Sequence, residues 1–246
     1  MRVIAWNVAH QIKMRPIPAD LPALFDSIGA DVVLLNEFVD GPSRAAFYAD
    51  LQQAGYLWRL VSETPGVHNQ ILAASRLEFR PGDLRPPTLG DRMDGSAISN
   101  FLHIRFQQPE IEMVGMRAPA YTVSADRRAY WSEMADLVSG VADRPILFAG
   151  DINMDPFKRA GQVGAKAIGF EHCAAFTVPN PSGEWSFRDK GGRWAPTRID
   201  HVLHSSAVRI EDARYVEVHN GRVLAGLRPH LPISDHAALV FEATPE

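Results

Sequence analysis

Five apolar runs in this 246-residue chain carry polar side chains at one end. RVIAWN (2–7) ends on Asn7, VVLLNE (32–37) on Asn36 and Glu37, and ILFAGDIN (146–153) on Asp151 and Asn153. RIDHVL (198–203) and SDHAALVF (234–241) begin with theirs, Asp200 in one and Asp235 with His236 in the other. No basic residue lies within three positions of Asp151, so no local ion pair accounts for it. Asp151 and Asn153, two apart, share one side of the chain if it stays extended. Together these residues offer hard oxygen donors and one imidazole, a set that suits Mg²⁺ or Mn²⁺ better than zinc. Singly, each has a plainer reading: a terminal Asp is a turn or cap residue, Asn7 or Glu37 a strand end, His236 a core histidine. The recurrence at five run ends favours a shared site.

If all these groups meet at one edge, the first three runs are strands pointing towards it and the last two point away. That requires sheets with mixed or antiparallel pairing and a site across their ends. Runs rich in Val, Ile, Leu and Phe, flanked by Gly, Pro or Asp, predict strands at 2–8, 31–36, 70–75, 97–106, 110–116, 145–150, 184–188, 198–204, 207–218 and 236–242. Helices are predicted at 19–28, 43–54 and 126–140, the last with Ser124 or Asp126 as its cap. Strands outnumber helices, which points to packed sheets covered by helices. There is no internal repeat and no linker, and RPGDLRPPTLGD (80–91) reads as a surface loop, so one domain over 1–246 is expected.

Composition is that of an ordinary globular protein, 46% hydrophobic and 22% charged. A formal net charge of −4 gives no overall attraction to nucleic acid or acidic membranes, and leaves room for a local basic groove. The single cysteine, Cys173, excludes an intrachain disulfide and a cysteine-rich zinc site; small core filler is its expected role. The opening MRVIAWNV lacks the pattern of a signal peptide, and no segment has the apolar length of a membrane span. A reducing cytoplasm is the expected compartment.

In order and spacing, WNV (6–8), NE (36–37), GDIN (150–153), RID (198–200) and SDH (234–236) resemble the motifs of the endonuclease/exonuclease/phosphatase superfamily. Its members include exonuclease III, deoxyribonuclease I and the inositol-polyphosphate 5-phosphatases. EWSFRDKGGRWAPTRIDH (184–201) is most similar to the exonuclease III branch, where an aromatic strand and a basic loop precede RID. The resemblance implies a four-layer α/β/β/α sandwich of two mixed, mostly antiparallel sheets flanked by helices. It also implies roles. Asn7 and Glu37, with Asp235 nearby, would hold Mg²⁺ or Mn²⁺. Asp151 would orient or deprotonate the attacking water, Asn153 would donate to the developing phosphorane oxygens, and Asp200 would fix His236 as a donor to the phosphate. A phosphodiester repels its nucleophile, so its oxygens must be neutralised while water is activated.

The chain departs from the family after IEMVGM (111–116). Where the family places a His or Tyr against the phosphate, this sequence has Arg117, with Tyr121 four residues on. Arginine binds phosphate bidentately but cannot act as an acid at neutral pH. In 188–198, Arg188, Lys190, Arg193 and Arg198 outnumber Asp189, and Trp185, Phe187 and Trp194 interleave with them. Trp185, Arg188 and Arg193 are therefore candidates to hold a backbone phosphate and stack a base, with an ordinary exposed loop as the alternative. His201 and His204, three apart on a strand, face opposite ways and do not suggest a shared metal. The expected activity is Mg²⁺- or Mn²⁺-dependent hydrolysis of phosphodiesters in DNA or other nucleic acid. A small-molecule or lipid-head-group phosphate is the alternative substrate, and a non-catalytic binding protein the third reading; no protein partner is implied.

Overall fold

The computed structural model describes residues 1–246 except 10–16, 40, 64–68, 89–99, 121–123, 160, 163–164, 167–168, 190, 194 and 228–231. Two sheets stack face to face. The first contains β1 (Arg2–Asn7), β2 (Val32–Phe38), β3 (Trp58–Val61), β4 (Gln70–Ser75), β10 (Val208–Val216) and β13 (Ala238–Pro245), in the order β10-β13-β1-β2-β4-β3. The second runs β5-β6-β7-β8-β9, comprising Phe79–Pro81, Phe101–Gln107, Glu110–Arg117, Ile146–Asp151 and Asp200–His204. β1 and β2 are parallel, as are β7 and β8, and the other pairings in both sheets are antiparallel. A small hairpin, β11 (Val218–His219) and β12 (Arg222–Val223), stands apart.

Side-chain alternation sorts the strands into three apolar layers. Val3, Ala5, Val32, Leu34, Met113, Leu147, Ala149 and Val202 fill the space between the sheets. On the outer face of the first sheet, Ile4, Val33 and Val240 meet α1 (Leu21–Ile28) and α2 (Arg44–Gln53). In α1, Pro22 occupies the first turn, where its missing N–H costs nothing, and Leu21, Leu24, Phe25 and Ile28 recur with helical period on the buried face. On the outer face of the second sheet, Val114, Phe148 and Leu203 meet Tyr130, Trp131, Met134 and Val138 of α3 (Ser124–Ser139). Each large side chain fully buried this way contributes about 1.5–3 kcal/mol of transfer free energy. The result is the expected α/β/β/α sandwich.

The departures from expectation have local causes. Residues 184–188 are a strap rather than a strand: Ser186 and Phe187 donate to Thr197 O, Arg188 donates to Asp235 O, and Ser186 O accepts from Ala237. The strap thus ties the lead-in of β9 to that of β13, one from each sheet. The expected strand 207–218 is broken by a bulge between Glu211 and Arg214, where Asp212 has φ 51°. Edge strands β3 and β5 lacked a strong apolar alternation, and β5 occupies the start of the expected 80–91 loop. Asp126 lies in the first turn of α3, where its charge suits the helix N-terminus. The expected start of the strand at 97–99, and Tyr121, lie outside the described residues.

Candidate active site

The polar run ends continue the inward-facing phase of their strands. Val3 and Ala5 lead to Asn7, Met113 and Gly115 to Arg117, Leu147 and Ala149 to Asp151, and Asp200 precedes Val202. Each polar group is therefore the next inward position after a core residue. Ala5, Gly115 and Ala149 lie one inward position beneath them. The sheets come close there, since a Cβ on Gly115 would stand 2.9 Å from Ile71 Cγ2. Asn7 pairs in register with Asn36, Arg117 with Asp151, and Asp151 with Asp200. As expected, β1, β2 and β8 run towards this edge, and β9 and β13 run away.

Glu37 reaches the site by breaking strand alternation. β2 has one extra residue between its pairings Leu35 with Leu72 and Phe38 with Gln70. Glu37 has φ 57°, a left-handed conformation uncommon for this residue type. The bulge lets Asn36 and Glu37 both face the opposite sheet while Phe38 returns to the outer core. Asn36 Nδ2 donates to Met116 O across the gap at 2.5 Å. Glu37 Oε1 lies 3.1 Å from Arg117 Nε, and the same nitrogen lies 3.9 Å from Asp151 Oδ2.

Asp151 is held from both sides. Its Oδ2 accepts from Asn7 Nδ2 at 3.1 Å and its Oδ1 from the Asn153 backbone N–H at 2.9 Å. Gly150, with φ 141°, makes this exit possible: a Cβ there would come within 2.1 Å of Met116 O. Burial, then the neighbouring Asp200, pushes the Asp151 carboxyl up to about 6, against the pull of His236 and Arg117. Asn153 also adopts a left-handed conformation, φ 54°, and its Nδ2 donates to Ala118 O at 2.5 Å. One of its two amide hydrogens is thus engaged, leaving the second for a ligand.

His236 Nδ1 lies 2.9 Å from Asp200 Oδ2. Burial alone disfavours the imidazolium, but Asp200, joined by Asp151 and Asp235, overrides it and pushes the ring up to about 10. With Nδ1 on Asp200, Nε2–H is the donor the ring presents. The pair is braced by groups to which the sequence assigned no such role. Trp6 Nε1 donates to His236 O at 2.7 Å, Tyr215 Oη donates to Asp200 O at 2.8 Å, and Ser186 Oγ accepts the Asp200 N–H at 3.0 Å. Ser234 Oγ donates to Asn7 O and accepts the His236 N–H, joining β1 to β13. Phe187 packs on the imidazole with ring centroids 4.9 Å apart. These are tertiary contacts between distant segments; Trp6 and Ser234 lie in the WNV and SDH motifs and Phe187 beside the basic run, whereas nothing in the sequence marked Tyr215.

The 184–198 candidates divide. Trp185 is only 6% exposed and belongs to the core between the sheets, so the expected stacking surface is not on its ring. Arg193 is exposed, but Asp189 holds its guanidinium at 3.0 Å and its N–H at 3.0 Å, which pulls the Asp189 carboxyl down to about 2. Arg188 lies over the Trp185 ring at 5.9 Å, and its backbone ties it to Asp235, placing it beside the edge that carries His236. Lys190 and Trp194 lie outside the described residues. His201 is buried against Tyr215 and Phe157, with its pKa pushed down to about 4 by burial, while His204 Nδ1 meets Ser205 O. The two histidines share no site.

The sequence profile described as the Endonuclease/Exonuclease/phosphatase family matches residues 4–236. The chain belongs to this family. Membership makes it, at that level, a phosphate-ester hydrolase. The fold is similar to that of an endonuclease/exonuclease/phosphatase from Beutenbergia cavernae DSM 12333, with 18% identity, coverage of 100% of this chain and 71% of that one, and a TM-score of 0.68. It is similar to an AP endonuclease from Archaeoglobus fulgidus, with 15% identity, 98% of each chain and a TM-score of 0.68. A 3'-5' exonuclease from Neisseria meningitidis has 17% identity, coverage of 98% and 99%, and a TM-score of 0.64. No curated protein matches the sequence significantly. Among the described residues, no helix is long and apolar enough to cross a membrane.

The family generally uses a divalent metal, and the donor set here fits one in kind. Among the described residues no three His, Cys, Asp or Glu side chains form a metal-holding group. The candidate set instead combines the Asn7 amide oxygen with the Glu37 and Asp235 carboxylates. Asn7 Oδ1 accepts the Ala9 N–H at 3.0 Å, which leaves it a second lone pair. Glu37 already attracts a cation, Arg117. Burial, then Asp200, raises the Asp151 carboxyl beside this set. Asp235 stands half-buried at the head of β13, beside His236.

Proposed function

We propose that this chain is a Mg²⁺- or Mn²⁺-dependent phosphodiesterase that hydrolyses nucleic acid. The observation that carries the reading is one buried cluster in which Asn7 and the Asn153 N–H hold the Asp151 carboxylate while Asp200 holds His236 Nδ1 at 2.9 Å. Burial and Asp200 push Asp151 up to about 6, which strengthens it as an acceptor, and Asp200 overrides burial to push His236 up to about 10, which keeps it a charged donor. At neutral pH Asp151 is ionised, yet basic enough to hold or deprotonate a water. Asn7 and the Asn153 N–H fix its orientation. His236, charged and fixed by Asp200, donates from Nε2 to a phosphate oxygen or the leaving group. The second amide hydrogen of Asn153 serves the non-bridging oxygens, where charge grows in the transition state. Glu37, Asn7 and Asp235 would hold the metal, which when bound neutralises phosphate charge and acidifies water. Arg188, at the edge, is the candidate contact to a flanking phosphate.

A compact phosphate ester is the second reading, favoured by the burial of Trp185 and the ion pair that occupies Arg193. A substrate panel in Mg²⁺ and Mn²⁺ separates the two: plasmid, single-stranded DNA, abasic duplex, bis-p-nitrophenyl phosphate and inositol phosphates. Cleavage of polynucleotide that stops in EDTA and returns with metal supports the first reading. Activity on monoesters alone supports the second. Full activity in rigorously metal-free protein would overturn both.

A further inference from the structure

Arg117 occupies an unusual electrostatic position. It ends β7 on the inward phase, only 15% exposed, with its Nε 3.1 Å from Glu37 and 3.9 Å from Asp151. Among the described residues, it and His236 are the cations set against Asp151, and His236 is paired with Asp200. A guanidinium cannot shed its charge by losing a proton. Arg117 therefore sits as counter-ion on the very carboxylate that the proposed function assigns to the metal.

We propose that Arg117 is a resident cation that a divalent ion must displace from Glu37, and that the displaced guanidinium then clamps the substrate phosphate. The inference rests on the metal assignment made above. A divalent ion at Glu37 replaces one positive charge with two and repels the neighbouring guanidinium. An anion restores the balance, and a phosphate oxygen pair matches the planar fork of arginine. Metal and phosphate therefore bind cooperatively, each strengthening the other by the same factor. A histidine or tyrosine here could touch a phosphate, but a permanently charged group also sets a threshold for metal entry. Arg117 acts on metal affinity as a positioning residue.

The test measures Mn²⁺ binding to the whole chain by the electron-paramagnetic-resonance signal of the free ion, with and without inorganic phosphate. Wild type should bind Mn²⁺ weakly alone and more tightly with phosphate, by about 5- to 150-fold, the usual span of coupling between sites. Arg117→Gln should bind Mn²⁺ alone more tightly than wild type and lose most of the phosphate effect. Arg117→Lys, which keeps the charge, should stay near wild type without phosphate and guards against a folding defect in the glutamine variant, checked by circular dichroism. If Glu37→Gln abolishes Mn²⁺ binding while Arg117→Gln matches wild type in both conditions, the displacement inference falls and the metal assignment stands. If Glu37→Gln binds Mn²⁺ like wild type, Glu37 holds no metal and both fall.

Discussion

Two clusters of histidine, carboxylate and arginine flank the second sheet, one at each end, and they differ in charge balance. At the end remote from Asp151, on the face towards α3, Glu112 accepts from His103 at 2.7 Å, from Arg105 at 3.2 Å and from Arg144 at 3.0 Å. Asp83 adds contacts to Arg105 and Arg144. The Leu84 N–H donates to His103 Nδ1, which fixes the proton on Nε2, facing Glu112. Here cations match or exceed acids. Burial would raise the Glu112 pKa, but Arg144 and His103 override it, so Glu112 is held below its ordinary value. His103 is lowered, chiefly by burial. Each group is locked in its resting state. At the other end acids exceed cations among the described residues: burial and Asp200 push Asp151 up, and Asp200 overrides burial to push His236 up and hold its proton.

The largest expected effect is on turnover. Asp151→Asn preserves shape and should lower kcat by about 10²- to 10⁴-fold, the usual weight of a positioned general base, with the fold intact by circular dichroism. Wild-type turnover in a stable variant would remove the acceptor from the site. Asn153→Ala should cost about 10²- to 10³-fold in kcat, as for loss of one oxyanion donor, with KM changed less. At the remote cluster the pattern should reverse. Glu112→Gln should cost about 1.5–3 kcal/mol in stability, as for a lost charged hydrogen bond, with kcat per folded molecule unchanged. A kcat defect there would erase the distinction between the two ends.

The pH dependence of stability in metal-free protein sharpens the same contrast. Asp151 has a folded pKa of about 6, above its ordinary 3.8, so the folded state binds the extra proton. Stability from this group is present below 3.8 and lost as pH rises through 6. Asp151→Asn should therefore gain melting temperature over wild type by a few degrees near pH 7.5 and lose that advantage near pH 4, on a scale of about 2–4 °C per kcal/mol. Glu112 behaves oppositely: its contribution is present above its ordinary 4.5 and lost as pH falls through its lowered folded pKa. Melting curves of wild type, Asp151→Asn and Glu112→Gln from pH 4 to 8 check both signs. The smallest effect concerns Arg188. If it meets a flanking phosphate, Arg188→Gln should flatten the log–log salt dependence of duplex binding by about 0.9; an unchanged slope would favour a compact substrate.

Much of this site could be read directly from local patterns. Asn7 and Asp151 close their apolar runs and Asp200 opens its own, so the strand directions followed from which end carried the polar group; that each continues the inward phase of its strand was seen only in the fold. Glu37 breaks that rule. Alternation after Leu34 and Leu35 places Asn36 inward and Glu37 outward, and only the bulge against β4 turns both inward. Trp185 failed in the other direction: an aromatic next to basic residues reads as a stacking surface, but the strap between the lead-ins of β9 and β13 tucks it into the core. Arg193 looked available until Asp189, four residues back, proved to hold it.

Composition and local order along the chain were enough to show which residue types were on hand, which runs were apolar and at which end of each run its polar groups stood, so that a shared edge implied the strand directions. The tertiary structure decided their chemical states. Asp151 is pushed up because burial and Asp200 meet it there, His236 is pushed up because Asp200 at 2.9 Å overrides its burial, and Arg117 faces Glu37 because two sheets close over small residues. Charge and burial are properties of what surrounds a group in space, and those neighbours come from segments up to 230 residues apart, as with Trp6 and His236.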